Sequence, residues 1–168
     1  MIYSYKGKKP VLAETVFAAP SADIIGEVEA GENSSFWYNV TVRGDIAPVK
    51  IGKNTNIQDN SVVHVGHDVP AVIGDNVTIG HSVIIHACTI EDNSLIGMGA
   101  VILDYAVIGR ESIVGAGSLV TKGKKFPPRS LIMGSPAKLI RELTEEEVAG
   151  ILSNAESYVE ILEDYRQT

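Results

Sequence analysis

Residues 90–120 read IEDNSLIGMGAVILDYAVIGRESIVGAGSLV, and the spacing inside this stretch decides the fold. Aliphatic residues return at Ile90, Ile96, Ile102, Ile108, Val114 and Val120, six apart each time, with Ile132 two steps further on. A small residue stands two positions before most of these rungs: Ser94, Ala100, Ala106, Ser112, Ser118 and Ser130. Six is even, so an extended chain returns the same face inward at every hexapeptide, a register that a helix of period 3.6 cannot keep. A sheet of short antiparallel hairpins would instead show Asn-Gly or Asp-Gly turns at varied spacing. Working outward towards the start of the chain, the same rungs continue at Ile85, Ile79 and Ile73, at Val63, Ile57 and Ile51, and at Val42, Phe36, Ala30 and Ile25. The count in sixes predicts a parallel β-helix whose aliphatic rungs stack into one core.

Hexapeptide repeats of this kind resemble the left-handed β-helix, a triangular prism with one hexapeptide per face. The expected class is all-β, with the prism over about residues 15–140. Its rungs make roughly five and a half coils, or about 27 Å at ~4.8 Å per coil. Lys122 to Pro128 reads as a loop rich in Lys and Pro, and Gly134-Ser135-Pro136 as the close of the last turn. A helix is expected over 144–166. Thr144 and Glu147 have the spacing of a capping box, and Leu143 and Val148 that of a hydrophobic staple. Val148, Ile151, Leu152, Ala155, Tyr158, Val159 and Leu162 form one apolar stripe, long enough to lie back along the prism.

Composition bounds the rest. At 168 residues, 45% hydrophobic and 21% charged, residues 1–168 read as a single folded domain rather than a disordered chain. Glycine, at 16 residues, is in excess, as a tightly turning repeat requires. A net charge of −7 argues against a nucleic-acid groove, and no apolar run approaches the length of a membrane span. One cysteine, Cys88, and an opening decapeptide with no apolar core give the expectation of a cytoplasmic protein. Under that expectation Arg43-Gly44-Asp45 is no adhesion tripeptide, and Cys88, Trp37 and the methionines read as packing residues.

The four histidines, His64, His67, His81 and His86, gain meaning from the repeat. His64 follows rung Val63 and His86 follows rung Ile85, 22 residues apart; subtracting a four-residue loop between Val63 and Ile73 leaves 18, one full coil. The two should therefore stack on one edge about 4.8 Å apart, close enough to share a metal. The same arithmetic places Arg43 one coil further along that column. His81 falls on the preceding edge, stacked over Asp59. Five extended residues hold His81 up to ~16 Å from His86. One chain does not easily bring all three to one ion, but two edges from two protomers can, and a rotation that closes after three steps makes a ring. The expectation is a metal at each of three interfaces, with His64 and His86 from one chain and His81 from its neighbour. Three imidazoles leave an open position, the pattern of a catalytic rather than a structural zinc site. Plain surface histidines on a prism edge are the alternative.

Several segments together resemble the γ-class carbonic anhydrases and their bacterial relatives: Arg43-Gly44-Asp45, Asn56-Ile57-Gln58-Asp59, His64, Ile79-Gly80-His81, Ile85-His86, Ile96-Gly97-Met98-Gly99 and Gly134-Ser135-Pro136-Ala137-Lys138. The match covers about residues 15–165. The resemblance implies a homotrimer holding zinc, or ferrous iron or cobalt, on His64, His81 and His86, and reversible hydration of carbon dioxide to bicarbonate by metal-bound hydroxide. It implies inter-subunit ion pairs of Arg43, Asp45 and Asp59; the planar fork of Arg43 could also orient the anionic product, a purely structural ion pair being the alternative. It further implies a Gln58 hydrogen bond to metal-bound solvent and an approach of Tyr158 from the terminal helix. The family's founding archaeal pattern carries a glutamate after the Arg-Gly-Asp aspartate and another in an acidic loop; here the first position is Ile46 and the loop from Val65 to Val72 is short. His67, three residues after His64, stands where a proton shuttle is expected, and imidazole is a common general acid–base group; an exposed loop histidine with no role is the alternative. Two other readings stay open: an acyl-CoA transferase or thioesterase, supported by Gly134-Ser135-Pro136-Ala137-Lys138, and a metal-binding homologue with little hydratase activity, suggested by Ile46.

Overall fold

A computed structural model of the chain describes residues 1–166. The chain winds as a left-handed parallel β-helix of about seven turns, with one helix at its end. One face stacks the strands Phe17–Ala18, Ser35–Phe36, Asn56–Ile57, Thr78–Ile79, Leu95–Ile96, Ile113–Val114 and Ser130–Gly134. The second face includes Val62–His64, Ile84–His86, Val101–Ile102 and Leu119–Val120; the third includes Ala71–Ile73, Thr89–Ile90, Val107–Ile108 and Lys125–Phe126. The long strands Asp23–Ala30 and Thr41–Ile51 bend from the second face into the third.

The rungs are the core. Phe36, Ile57, Ile79, Ile85, Ile90, Ile96, Ile102, Ile108, Val114, Val120 and Ile132 are fully buried in one continuous cluster. Each such aliphatic side chain contributes about 1.5–3 kcal/mol relative to exposure. The small residues two positions ahead lie inside the corners, where a larger side chain would meet the next turn. Ser94, Ser112 and Ser130 are buried there, and the Ser112 hydroxyl accepts from the Ser130 amide at 3.0 Å.

Another corner needs the left-handed backbone, and asparagine supplies it. Asn33, Asn54, Asn76 and Asn93 have φ between 53° and 56°. Their amides form a ladder along the prism, Nδ2 to Oδ1 at 3.3, 3.0 and 2.9 Å. Asparagine tolerates this region because its short polar side chain bonds locally.

The structure departs from the sequence reading in four places. The prism has about seven turns rather than five and a half, because pairing starts at Ile2, with Ile2–Tyr3 and Val11–Leu12 laid against Asp23–Ala30. The inward rung in that strand is Ile24, paired with Val42, while Ile25 turns outward and is only partly buried. Of two adjacent isoleucines, only the one 18 residues before Val42 fits the coil. The segment 122–128 is more than a loop, since Lys125–Phe126 pairs with Val107–Ile108 and Phe126 fills the missing six-step position. Gly134-Ser135-Pro136 turns a hairpin, after which Ala137–Glu142 runs back antiparallel to Ser130–Gly134.

The helix Glu145–Arg166 lies along the first face. Thr144 Oγ1 accepts from the Glu147 amide at 3.2 Å, and a Glu147 carboxylate oxygen accepts from the Thr144 amide at 2.9 Å, the expected capping box. Leu143, Val148 and Ile151 bury against Leu95, Ile113 and Leu131, which point outward from the last turns. At the far end Tyr158 meets Trp37 at 5.7 Å, and Tyr165 meets Phe17 and Trp37. At 1.5 Å per residue the helix is ~33 Å long, and it runs back from the last turns to the first.

Candidate functional site

The second face is flanked by two edges that carry three of the four histidines and the carboxylates that meet them. On one edge the register is Arg43 beside His64 and His64 beside His86, each one turn apart. Rungs Val42, Val63 and Ile85 point inward, so the next residue of each strand projects outward at the strand end. Stacked one turn apart, the two rings meet: His64 Nδ1 lies 3.2 Å from His86 Nε2. The other nitrogen of each ring is held by a carboxylate, His64 Nε2 by Asp45 Oδ1 at 3.0 Å and His86 Nδ1 by Asp104. Arg43 Nη1 donates to the second oxygen of Asp45. Five side chains thus form one line, Arg43, Asp45, His64, His86 and Asp104.

Burial pushes the Asp45 carboxyl up, but the hydrogen bonds of His64 and Arg43 and the guanidinium charge together outweigh it, holding the group below the usual carboxylate range. It is therefore a carboxylate at neutral pH, able to anchor an imidazole N–H.

On the opposite edge of the same face, His81 Nδ1 lies 2.9 Å from Asp59 Oδ2, the stacking expected from their positions after rungs Ile79 and Ile57. Beside them is a cavity of about 210 Å³ lined by His81, Gln58, Thr78, Asn154, Tyr158 and the apolar Leu95, Ile96 and Met98. Gln58 is buried, and its orientation is set by a chain of hydrogen bonds. Its Nε2 donates to Asn56 Oδ1 at 3.1 Å, Asn56 Nδ2 donates to Thr78 Oγ1 at 2.9 Å, and Thr78 Oγ1 donates to Asn154 Oδ1 at 2.9 Å. With Nε2 so engaged, the amide oxygen of Gln58 is left for the cavity. Burial, with the negative charge of Asp59 nearby, raises the Tyr158 phenol above its ordinary value, so it stays protonated at neutral pH.

The structure brings the expected residues into two groups: Arg43, Asp45, His64 and His86 on one edge, and Gln58, Asp59, His81 and Tyr158 on the other. Among the described residues no three His, Cys, Asp or Glu side chains of the one chain converge as a metal site. Within the protomer Arg43 pairs with Asp45, not with Asp59. His67 joins neither group; it is 88% exposed on its loop, 2.7 Å from Asp68. Cys88 is buried and its thiol is pushed up to about 12 by that burial, so it is an unreactive packing residue. Asp104 and the relay residues Thr78 and Asn154 escaped the sequence reading. The column count does not reach Asp104: Ile85 pairs with Ile102, so Leu103 holds the position after the rung, and Asp104 meets the His86 ring from the corner one residue further on. Asn154 has no signal in the chain either, because it reaches Thr78 only through the docking of the helix.

Comparison with known proteins adds an independent line. The family model described as bacterial transferase hexapeptide (six repeats) matches residues 70–104 and 87–122. A carbonic anhydrase of Geobacillus kaustophilus is 48% identical over 160 residues, covering 95% of this chain and 88% of that protein. The mitochondrial gamma carbonic anhydrase 2 of Arabidopsis thaliana is 45% identical over 160 residues; the match covers 92% of this chain but only 58% of the plant protein. A hexapeptide transferase family protein from Anaplasma phagocytophilum superposes with a TM-score of 0.94 at 44% identity, over 98% of this chain and 97% of that one. Fold and edges together define a hexapeptide-repeat protein with histidines ranked along its prism. Within that class, the chain belongs to the γ-carbonic anhydrase family.

Proposed function

We propose that the protein catalyses the reversible hydration of carbon dioxide to bicarbonate at a divalent metal, zinc or in its place ferrous iron or cobalt. His64 and His86 of one protomer and His81 of the next would hold it, in a homotrimer. The observation that carries this reading is the pair of facing ring nitrogens of His64 and His86, 3.2 Å apart. Each of the three histidines has one nitrogen on a carboxylate, Asp45, Asp59 or Asp104, and the remaining nitrogens of His64 and His86 face each other. That donor set fits: neutral imidazoles backed by carboxylates suit zinc and also iron or cobalt. When bound, the metal supplies Lewis acidity and lowers the pKa of a coordinated water to ~7.

The chain's own residues do the rest. The three aspartates hold the imidazoles in one tautomer. Gln58, locked by Asn56, offers its amide oxygen to a proton-bearing partner in the cavity, and Tyr158, kept neutral, offers a hydroxyl to an anionic one. Arg43 and its partner carboxylates serve the seam between protomers, where the guanidinium also faces the anionic product. His67 at its exposed loop carries the proton to bulk solvent.

A second reading, a metal-holding homologue with little turnover, is favoured by Ile46, whose exposed apolar side chain offers no proton path. Metal analysis of anaerobically purified protein coupled to a carbon dioxide hydration assay separates the two. We expect stoichiometric metal and hydration, with His64→Ala, His81→Ala and His86→Ala losing both together. His67→Ala should keep its metal and kcat/KM while kcat falls and recovers with added imidazole buffer. Metal without hydration would establish the second reading.

A further inference from the structure

We infer that Asp104 is the positioning residue for His86, and that it fixes which ring nitrogen His86 presents to a cation. The inference rests on the metal-binding reading above and assigns a part to a residue outside the histidine set. His86 Nδ1 and Asp104 Oδ1 are hydrogen-bonded, with the imidazole N–H donating and the carboxylate accepting. The ring is thereby held as the Nδ1–H tautomer, and its Nε2 lone pair is the atom that faces His64.

The backbone that carries Asp104 is tied to the turns on either side. The Tyr105 amide donates to Ala87 O at 2.8 Å, and the Gly123 amide donates to Asp104 O at 2.8 Å. Tyr105, directly after Asp104, adopts a left-handed φ of 61°, and Asp104 lies in that tight corner, two residues beyond the strand Val101–Ile102 that pairs with Ile84–His86. The Asp104 side chain therefore meets His86 from one neighbouring turn, while Asp45 meets His64 from the other side. The two aspartates hold the outer nitrogens of the stacked pair, and the other two nitrogens face each other at 3.2 Å. A carboxylate behind a ligating imidazole fixes the ring and raises its basicity, and its loss typically weakens metal binding 10- to 100-fold.

The test is competitive titration of Zn²⁺ and Co²⁺ against a chromophoric chelator, on the full chain, for wild type, Asp104→Ala and Asp104→Asn. The visible absorption of the Co²⁺ form and the melting temperature of the metal-free form are read alongside. We expect Asp104→Ala to weaken metal affinity by 10- to 100-fold and to change the Co²⁺ spectrum, with metal-free melting unchanged. Asp104→Asn, which keeps an acceptor without the charge, should fall between. Wild-type affinity and spectrum in Asp104→Ala would overturn the positioning role while leaving the metal reading intact. A loss matched by an equal fall in metal-free stability would also overturn it, making Asp104 a structural turn residue. If wild type itself takes up neither ion, the metal reading fails and this inference fails with it.

Discussion

At the scale of single residues, most of the chemistry here is a matter of which atom a corner turns outward. His64 and His86 meet because each is the first residue after an inward rung, and the coil brings those rungs into register. The same logic makes the asparagine corners sensitive to exchange. Asn76 donates to Asn93 and accepts from Asn54 while holding a φ of 54°. Asn76→Ala loses both bonds and puts a Cβ-bearing residue without local hydrogen bonding into a region that costs it ~1–2 kcal/mol. Asn76→Gly loses the bonds and keeps an easy backbone. Urea unfolding should therefore rank wild type above Asn76→Gly above Asn76→Ala; equal midpoints for the two variants would show that the ladder, and not the backbone, carries the effect. The column arithmetic that located His64, His86, Arg43 and the His81–Asp59 pair was legible in the chain, because an even repeat converts sequence distance into spatial stacking. It failed where two isoleucines stood side by side, at Ile24 and Ile25, because hydrophobicity alone does not tell one from its neighbour.

At the scale of elements, the helix is the part whose ends are under visible control. Three acidic residues, Glu145, Glu146 and Glu147, open it, where the helix dipole favours negative charge. Glu147 is held at about 2 by hydrogen bonds from Arg141 and the Thr144 amide, below an ordinary value of 4.5. Its folded-state pKa is depressed, so its stabilising effect is complete above about 4.5 and is lost as pH falls towards about 2. Thr144→Ala removes the other half of the box and should cost about 1 kcal/mol. Acid titration followed by helical circular dichroism should show Glu147→Gln losing part of the wild-type change between pH 4.5 and 2. An identical acid profile in the variant would show that the cap does not control helix docking. The helix and its cap could be read from Thr144 to Leu162, since the 3.6 period and the box are local signals. Which face of the prism it covers could not be read, because all three faces repeat alike.

At the scale of the whole molecule, a single protomer leaves its two functional edges on opposite sides of one face, which is why assembly is part of the proposal. A metal that bridges protomers binds only the assembled state, so it stabilises by mass action, about 2.7 kcal/mol at metal 100-fold above its dissociation constant. Chelator should lower the melting temperature of wild type and leave that of His81→Ala unchanged, and sedimentation should show the trimer weakened by Arg43→Ala. A monomer at micromolar concentration with metal bound would refute the arrangement. Among the described residues no helix is long and apolar enough to cross a membrane.

What the amino-acid order determined by itself is the winding. A period of six on an extended chain admits one periodic solution, and most rungs, with the stacked pairs His64–His86 and His81–Asp59, follow from counting. What only the tertiary structure decided are the contacts between columns and across faces: the antiparallel hairpin at Gly134–Pro136, the extra turn built by the first dozen residues, and the line from Gln58 through Asn56 and Thr78 to Asn154. The physical reason is that stacking within a column is set by a fixed interval along the chain, whereas packing between the helix and one face depends on side chains 76 residues apart, Thr78 and Asn154, for which no local interval exists.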